Sequence, residues 1–426
     1  MEITEMKEAI KQAKRCLNCK VPMCKKGCPI ENDIPDFIHE VTLGNFGEAR
    51  EILARKTNLP AVCGRVCPHE KQCQGNCVMG KKGTPVQIGA LERFVADFNY
   101  EVGLTVEKIA PKTRGKVAVI GSGPAGLTVA GDLAKDGFSV TVYEGQEEPG
   151  GVLLFGIPEY RLPKDVVRRE IKRIEHLGVE FKCNTLVGVD ITLDEIMAQG
   201  FDAAFIGTGT ALANTLKVPG KDLNGIKQAI HFLRKVTLYQ GGTIDRDDVL
   251  VKDGDTVLVI GAGNVAMDAA RQSLRMGAKE VKVIYRRKEE NMPATQAEYH
   301  EALEEGVQFI FETDTYEYVG DSDGNVVGIR AHQGEEDVFI PCDKVLVAIG
   351  QRPASRIVST TKGIETDAKG YIITKEKPYG MTTLKGVFSG GDVVHQPATV
   401  VLAMREAKRV AQGIEQYIDA VKLLEL

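Results

Sequence analysis

The chain has 426 residues, of which 43% are hydrophobic and 27% are charged, and its formal net charge is −5. This weakly acidic balance argues against a nucleic-acid groove or a surface for anionic membranes, because both need a basic patch. The composition also excludes collagen-like, disordered and small secreted proteins, and no uninterrupted apolar stretch reaches spanning length. The N-terminus lacks the apolar core of a signal peptide, so we expect a cytoplasmic protein of about two to four domains.

Cysteines are the first unusual feature, since eight of the ten lie before residue 78, in two groups of four. The first group reads C-x2-C-x4-C-x3-C-P and the second reads C-x3-C-x5-C-x3-C. In a reducing compartment, thiolates at this density bind metal rather than form disulfides. The first group is the bacterial ferredoxin pattern with two residues inserted between its second and third cysteines. The spacings predict two [4Fe–4S] clusters. The alternative is a pair of all-thiolate zinc sites, although zinc ribbons favour two C-x2-C pairs, which neither group offers.

Between the two cysteine groups, residues 34–57 have helical periodicity, with apolar side chains at positions such as Phe37, Ile38 and Val41. A segment of roughly 100 residues with few aromatic side chains makes a thin core, and bound metal would stabilise it. We therefore predict an α-helical iron–sulfur domain over residues 1–112.

A first nucleotide-binding loop follows the predicted strand 116–120. The loop contains three glycines, at Gly121, Gly123 and Gly126, and leads into a predicted helix over 127–135 and a second strand that ends in Glu144. In this fingerprint the glycines allow a tight turn, close approach of a pyrophosphate, and helix–strand packing, while the acid accepts from ribose hydroxyls. The pattern predicts an FAD site that includes the intervening Ser122, Pro124 and Ala125.

The same pattern recurs after the predicted strand 255–260. Here the loop runs from Gly261 through Gly263 to Ala266, with a helix through Arg275 and a second strand over 280–285. Arg286 and Arg287 stand where an acid is expected, and guanidinium groups pair with a 2′-phosphate that an acid would repel. The second loop is therefore predicted to bind NADPH; the alternative is that both arginines lie on a solvated strand end.

Two dinucleotide folds, one inserted in the other, are typical of flavin reductases. We predict an α/β protein with two Rossmann-like domains: FAD-binding over 113–244 and 352–426, and NADPH-binding over 245–351. Segments 205–209 and 345–350 resemble strands where the chain passes between the domains. Gly391 and Asp392 end a later strand, where the acid is suited to a ribityl hydroxyl, although it could also cap a turn. A predicted helix from Ala398 to Tyr417 would direct its N-terminus, at Thr399, towards the flavin.

No redox cysteine pair lies near residues 150–156, where disulfide reductases of this plan keep one. Cys183 and Cys342 are interpreted as small buried hydrophobic residues. No side chain is assigned a catalytic role.

The chain resembles a known family over nearly its whole length: the small subunit of glutamate synthase, the large subunit of NADH-dependent reduced ferredoxin:NADP oxidoreductase, and the N-terminal half of dihydropyrimidine dehydrogenase. The motifs that carry the resemblance lie at residues 59–68, 88–93, 150–163, 261–268 and 285–293. They include LPAVCGRVCP, IGALER, GIPEYRLP and GAGNVAMD. The motifs are specific for the family and less specific for the member.

The resemblance implies a crossed set of cluster ligands. One cluster would be held by Cys16, Cys19, Cys24 and Cys77. The other would be held by Cys28, Cys67 and Cys73, with Glu92 as the fourth ligand, and Cys63 would then be spare. The alternative is that Cys63 is the ligand and Glu92 forms a surface ion pair, since an oxygen ligand is unusual for iron–sulfur clusters.

The resemblance also implies cofactor contacts beyond the loops themselves. For FAD these are Gly151, Val152, Arg161, Val187, Asp392 and Thr399. For NADPH they are Gly263, Asn264, Val265, Asp268, Arg286 and Arg287.

These features together predict an electron-input subunit, in which NADPH reduces FAD and single electrons leave through two [4Fe–4S] clusters. The chain lacks the domains that complete the reaction in glutamate synthase or in dihydropyrimidine dehydrogenase, so we expect the final reduction on a partner, either an FMN-barrel protein or a ferredoxin-type reductase. The small subunit of glutamate synthase is the preferred comparison. Alternatives are a bifurcating transhydrogenase subunit, a pyrimidine-reductase subunit, a stand-alone NAD(P)H oxidase and a zinc-stapled interaction module without a redox role.

Overall fold

The computed structural model describes residues 3–103, 108–354, 356–396 and 399–424. The chain divides into two compact units, of which unit 1 comprises Met1–Leu153, Arg161–Thr210 and Pro353–Leu426. Unit 2 comprises Leu154–Tyr160 and Ala211–Arg352, so it interrupts unit 1 along the chain. The three domains over 1–112, over 113–244 with 352–426, and over 245–351 stay a prediction.

The N-terminal part of unit 1 is helical, as predicted. Its α-helices are α1 (Ile3–Ala13), α2 (Met23–Gly27), α3 (Ile34–Leu43), α4 (Phe46–Ala54), α5 (Pro60–Val66) and α6 (Ile88–Val102). Phe37, Ile38 and Val41 are buried on one side of α3, which explains the apolar period of this segment. Helix α3 ends at Gly44, whose φ of 79° is readily adopted by glycine.

The remainder of unit 1 is a sheet with helices on its faces. Its strands are β1 (Gly115–Ile120), β2 (Phe138–Tyr143), β3 (Val179–Lys182), β4 (Ala203–Ile206), β15 (Thr374–Glu376), β16 (Tyr379–Thr382) and β17 (Val387–Ser389). In the described residues their order is β15-β16-β17-β4-β1-β2-β3, and the five strands from β17 to β3 are parallel. The order reverses between β1 and β4, and ligands of such sheets bind at this point.

Further helices in unit 1 are α7 (Pro124–Lys135), α9 (Lys164–His176), α10 (Leu193–Met197), α14 (Arg356–Thr360) and α15 (Val400–Leu424). The short helix α8 spans Val152–Phe155. The predicted starting residue of the last helix, Ala398, lies outside the described residues.

Unit 2 contains a second parallel sheet, with the strand order β6-β13-β7-β8-β9. These strands are β6 (Ile226–Gln228), β7 (Thr256–Ile260), β8 (Glu280–Ile284), β9 (Gln308–Ile310) and β13 (Lys344–Val347). The helices of the unit are α11 (Ala229–Gln240), α12 (Asn264–Arg275) and α13 (Gln296–Glu304). Buried aliphatic side chains of α11, α12 and this sheet form one core.

Unit 2 also has two smaller antiparallel pairings that the sequence analysis did not predict. A three-stranded sheet is formed by β10 (Thr313–Gly320), β11 (Val326–Gln333) and β12 (Glu336–Pro341). The short strands β5 (Leu212–Ala213) and β14 (Gln351–Arg352) pair where the chain enters and leaves the unit. No helix in the described ranges combines the length and apolar character needed to cross a membrane.

Candidate functional site

The first glycine loop has the geometry that a dinucleotide pyrophosphate requires. Gly121 has a φ of +95°, and a Cβ placed there would lie 2.8 Å from the carbonyl oxygen of Gly207. A Cβ on Gly126 would lie 1.9 Å from the carbonyl oxygen of Gly121, so helix α7 can approach β1 only without a side chain. A Cβ on Gly123 would meet no atom within 4 Å. The open space beside Gly123 faces the N-terminus of α7, whose backbone N–H groups suit an anion.

Glu144 occupies the position of the ribose-binding acid at the end of β2. It is buried, and its Oε2 accepts hydrogen bonds from the backbone N–H of Ser122 at 3.0 Å and from the Ser122 hydroxyl at 2.5 Å. Its Oε1 accepts from the backbone N–H of Gln146 at 2.9 Å. A carboxylate has about four acceptor positions, so these bonds fix its orientation and leave capacity for a ligand hydroxyl.

Two further segments converge on this loop. A Cβ on Gly151, which has a φ of +52°, would lie 2.9 Å from the Cα of Gly123. A Cβ on Gly391 would lie 2.9 Å from the Cβ of Ala125, which places the start of the Gly391–Val393 turn against α7. Both glycines therefore allow backbone to approach the space that a bound FAD would occupy.

The other predicted FAD contacts are dispersed around this centre. Val152 is exposed, Arg161 and Asp392 are half-buried, and Val187 is buried in the core beside Tyr143. The Thr399 hydroxyl accepts a hydrogen bond from the backbone N–H of Leu402 at 3.4 Å, and Thr399 directly precedes α15. A helix N-terminus is thus present where the sequence predicts one.

The second loop, in unit 2, repeats the backbone geometry. Gly261 has a φ of +117°, and a Cβ there would lie 2.3 Å from the carbonyl oxygen of Ala348. The nearest atom to a Cβ on Gly263 would be Pro293 Cγ at 3.8 Å, so a ligand can approach this backbone too. Ala266 replaces the third glycine and is fully buried.

The side chains around the second loop are differently charged. Arg286 and Arg287 follow β8 after one residue, Tyr285, and are both exposed, as binding groups for a 2′-phosphate would be. The Asn264 side-chain oxygen accepts from the backbone N–H of Thr295 at 3.1 Å. Asp268 is buried, whereas Val265 is 37% exposed.

Sequence reasoning missed a cationic cluster beside Asp268. The Tyr160 hydroxyl donates to Asp268 Oδ1 at 3.5 Å, and the guanidinium groups of Arg271 and Arg275 lie 4.5 Å and 3.9 Å from the Tyr160 ring centroid. Both arginines bind Glu305, and they lower its pKa to about 2 despite the opposing effect of burial. The spacing of Arg271 and Arg275, four residues apart on a helix, was the available signal.

The structure brings the first candidate ligand set together. Cys16, Cys19, Cys24 and Cys77 line one cavity, even though Cys77 comes from the second sequence group. Burial is the main cause that raises the pKa of Cys24 to about 11, and the neighbouring thiols add to it. A cysteine binds metal as its thiolate, and burial disfavours this charged form. A bound metal cation would supply the positive charge that stabilises the thiolates in this half-buried site.

The second candidate set lies around the buried Glu92. Burial is the main cause that raises the pKa of Cys28 to about 12, and it raises the pKa of Cys73 further. In both cases the negative charge of Glu92 is the next cause that raises the pKa. The Cys67 thiol has its pKa raised first by a hydrogen bond with Cys63, then by burial and by nearby negative groups that include Glu92. The negative charge of Glu92 therefore acts on all three predicted cysteine ligands in the same direction.

Both proposed fourth ligands are buried. The Cys63 thiol lies 3.8 Å from Thr57 Oγ1 and 4.0 Å from the Met404 sulfur, in addition to its contact with Cys67. Glu92 is 6% exposed, so it is not the surface residue that the alternative interpretation assumes. Burial and the neighbouring Glu170 raise the pKa of Glu92 to about 8, although Arg50 opposes this rise.

In the described residues, no three His, Cys, Asp or Glu side chains converge closely enough to hold one metal ion. The first cysteine set instead lines a cavity, and the second set, with Cys73 buried and Cys28 and Cys67 partly buried, lies around Glu92. Their soft donors fit iron–sulfur clusters, and the crossed ligand arrangement stays a prediction.

Comparisons with known proteins agree with this architecture. A family model described as dihydropyrimidine dehydrogenase domain II, 4Fe-4S cluster, matches residues 1–104. A second model, pyridine nucleotide-disulphide oxidoreductase, matches residues 115–407. The fold is shared with thioredoxin reductase of T. acidophilum, at a TM-score of 0.57 and 20% identity over 72% of this chain and 98% of that one. It is also shared with Mycobacterium tuberculosis FprA in complex with NADPH, at a TM-score of 0.60 and 20% identity over 72% and 85% of the two chains.

The fold and the two loops thus define a flavin- and pyridine-nucleotide-dependent oxidoreductase with an N-terminal iron–sulfur segment. Glutamate synthase [NADPH] small chain of Escherichia coli is 36% identical over 97% of this chain and 92% of its own length. The dihydropyrimidine dehydrogenase subunit PreT of Escherichia coli, named as NAD-dependent, is 34% identical over 96% and 94% of the two chains. The chain belongs to the glutamate synthase small-chain family, as the sequence motifs indicate.

Proposed function

We propose that this protein is the electron-input subunit of a larger oxidoreductase, the role that the names of its glutamate synthase relatives imply. NADPH is its electron donor, and a larger catalytic or redox subunit is its acceptor. When bound, FAD would accept a hydride as an electron pair, and two [4Fe–4S] clusters would carry electrons singly to the partner.

One observation carries this proposal: both cysteine sets lie in the same compact unit as the FAD loop. Helix α5 contributes Cys63 and leads to Cys67, and it contacts α15 through the Cys63–Met404 pair. Helix α15 begins next to Thr399, one of the candidate flavin contacts. A continuous packed connection therefore joins the second cysteine set to the proposed flavin site.

The residues of this chain would position the cofactors rather than perform acid–base chemistry. Gly123 leaves space for the pyrophosphate, and Glu144 is held by Ser122 so that it can accept from a ribose hydroxyl. Arg286 and Arg287 would select the donor by pairing with its 2′-phosphate. Glu92 in place of a thiolate would change the charge, and hence the potential, of its cluster.

The proposal is tested by anaerobic purification followed by stepwise addition of NADPH. We expect one FAD and about eight iron atoms per chain, a flavin spectrum with a broad shoulder near about 400 nm, and bleaching of the flavin band by NADPH. Iron and flavin analysis, together with absorbance spectra, provide the measurement. Zinc in place of iron, or a bound flavin that NADPH leaves oxidised, would refute the proposal.

A further inference from the structure

The two segments that carry the first cysteine set have an unusual charge for this acidic protein. Residues 9–30 and 71–91 contain nine lysines and arginines and no aspartate or glutamate, although the whole chain has a net charge of −5. The cationic residues are Lys11, Lys14, Arg15, Lys20, Lys25, Lys26, Lys71, Lys81 and Lys82. The overall composition conceals this local excess.

The structure places both segments on one face of unit 1. The Arg15 guanidinium donates to the Thr84 carbonyl at 2.5 Å, to the Thr84 hydroxyl at 2.9 Å and to the Pro85 carbonyl at 3.2 Å. These bonds hold the turn that carries Lys81 and Lys82 against the loop that follows α1. The cavity of the first cysteine set is lined by residues of both segments.

Some of the cations have partners and others extend into solvent. Lys25 is paired with Asp33, and Lys11 lies 3.3 Å from Glu8. Lys20, Lys81 and Lys82 are exposed, as is Lys26. Lys20 and Lys26 lie within the first cysteine group, and the Arg15 bonds bring the turn with Lys81 and Lys82 beside the loop of that group; these four exposed lysines are called the rim.

Within this rim the surface is apolar. Leu17 and Val21 are 62% and 61% exposed, and Met23 is 41% exposed. Leu17 and Met23 also line the cysteine cavity, so the same side chains border both the candidate cluster and the solvent. An apolar centre inside a charged rim is typical of a protein interface.

We propose that this face, defined by Leu17, Val21 and Met23 with the rim of Lys20, Lys26, Lys81 and Lys82, docks a redox protein that surrounds its own electron-accepting centre with acidic side chains. The inference rests on the proposed function and names the kind of partner that the first cluster would serve. Opposite charges accelerate encounter and orient the two proteins, while the apolar centre excludes water at the point of closest approach. A nucleic-acid partner fits less well, because phosphate binding gives no reason for three exposed apolar side chains at the centre.

The charge of the rim can be tested with two haem proteins of opposite charge: cytochrome b5 as an acidic probe and mitochondrial cytochrome c as a basic one. In the wild-type holoprotein we expect oxidised cytochrome b5 to bind without NADPH, with an affinity that falls as salt is added, and to be reduced once NADPH is supplied. The triple variant Lys20→Glu, Lys81→Glu, Lys82→Glu should bind cytochrome b5 at least tenfold more weakly and lose most of the salt dependence. Cytochrome c should show the opposite change.

A matched control is the triple variant Lys172→Glu, Lys362→Glu, Lys369→Glu, which makes the same charge change at exposed positions of unit 1 outside the face. It should bind cytochrome b5 within about twofold of the wild type. A second variant, Val21→Asn, should weaken cytochrome b5 binding while the salt dependence is retained, because it removes only an apolar contribution of a residue outside the cysteine cavity.

Three controls distinguish a failure of the docking proposal from a failure of the proposed function. They are the iron content, the flavin content and the NADPH-driven reduction of menadione, a neutral acceptor. If these are normal in every variant and the rim and control variants bind cytochrome b5 equally, the docking proposal is wrong while the proposed function stands. Tighter binding of a short DNA duplex than of cytochrome b5 at the same ionic strength would also overturn it. If iron is absent from the wild type, it is the proposed function that fails.

Discussion

The clearest contrast between the two nucleotide loops lies in single side chains at the ends of equivalent strands. Glu144 is buried and held by three hydrogen bonds, whereas Arg286 and Arg287 are exposed. A carboxylate fixed in this way suits neutral hydroxyls, and two free-standing guanidiniums suit a phosphate. We therefore predict that the choice between NADH and NADPH depends on the arginine pair.

We expect Arg286→Glu combined with Arg287→Glu to lower kcat/KM for NADPH by about 100-fold, since each charge-assisted hydrogen bond contributes about 1.5 kcal/mol or more. The value for NADH should change by less than about threefold, because NADH has no 2′-phosphate. Stopped-flow absorbance measurements of flavin reduction give the values for NADPH and for NADH. Lys288→Glu, at the next exposed position, is the control and should alter the preference far less. An unchanged ratio of the two cofactors would contradict the assignment.

The two cysteines whose roles depend on the crossed arrangement allow a second test. Cys77→Ala removes a thiol from the cavity of the first set, so we expect the loss of one cluster and about half of the iron. Cys63→Ala should retain both clusters, because the buried Glu92, and not Cys63, is the proposed fourth ligand beside Cys28, Cys67 and Cys73.

Iron analysis and EPR of the dithionite-reduced proteins distinguish these outcomes for the cysteine variants. The buried Cys342 in unit 2 supplies a control, because Cys342→Ala should change neither measurement. Loss of a cluster from the Cys63 variant would instead make that thiol the fourth ligand.

Residue-level prediction worked best where chemistry restricts the choice of residue. Gly121 and Gly126 of the first loop could be assigned because the backbone conformation or close contacts exclude a side chain there. The burial of Glu92 could not be predicted, since it depends on how α6 packs against elements distant in sequence. Nothing local around Glu92 distinguishes it from an exposed acid.

At the scale of elements, the strand–loop–helix units were predictable because their periodicity and punctuation are local. Strand β1, helix α7 and strand β2 begin and end within a few residues of their predicted limits. The same holds for β7, α12 and β8. These boundaries are set by glycines and by short apolar runs, both of which are visible in one stretch of chain.

The antiparallel sheet of unit 2 had a signal that was overlooked. Along β11, Val326, Gly328 and Ile329 are buried whereas Val327 and Arg330 are exposed, an imperfect alternation. The preceding turn is also marked, because Asp321 Oδ1 accepts from the backbone N–H of Asp323 and of Asn325. Which strand pairs with which depends on non-local contacts, so the sheet order could not be read from the pattern alone.

At the scale of the whole molecule, the helical segment that is predicted as a domain lies in the same compact unit as the flavin fold. Several polar contacts make this connection. Asn58 donates to Asp132 at 2.8 Å, and the backbone N–H of Ala61 donates to Glu170 at 3.3 Å. Composition and spacing indicated two modules, but could not indicate how extensively their surfaces pack.

The largest of these connections is centred on Asp97 of α6. Its carboxylate binds Arg65 of α5 at 2.7 Å and Arg169 of α9, and Arg93 lies 3.7 Å away. The side chains of Arg65 and Arg169 are 7% and 10% exposed, so solvent compensates little of their charge. Removing the carboxylate would leave two buried like charges facing each other.

We therefore expect Asp97→Ala to destabilise the protein by about 3–5 kcal/mol, the usual cost of removing one partner from a buried ion pair. Asp97 joins the helical segment to the flavin fold, so cluster absorbance, flavin absorbance and far-UV circular dichroism should all be lost in one thermal transition. The midpoint of this transition should lie several degrees below that of the wild type. Anaerobic thermal scans at one fixed rate measure both signals. Asp36→Ala, at an exposed position of α3, should shift the midpoint far less. If Asp97→Ala unfolds at the wild-type temperature, or loses cluster absorbance well before flavin absorbance, the ion cluster does not couple the two segments.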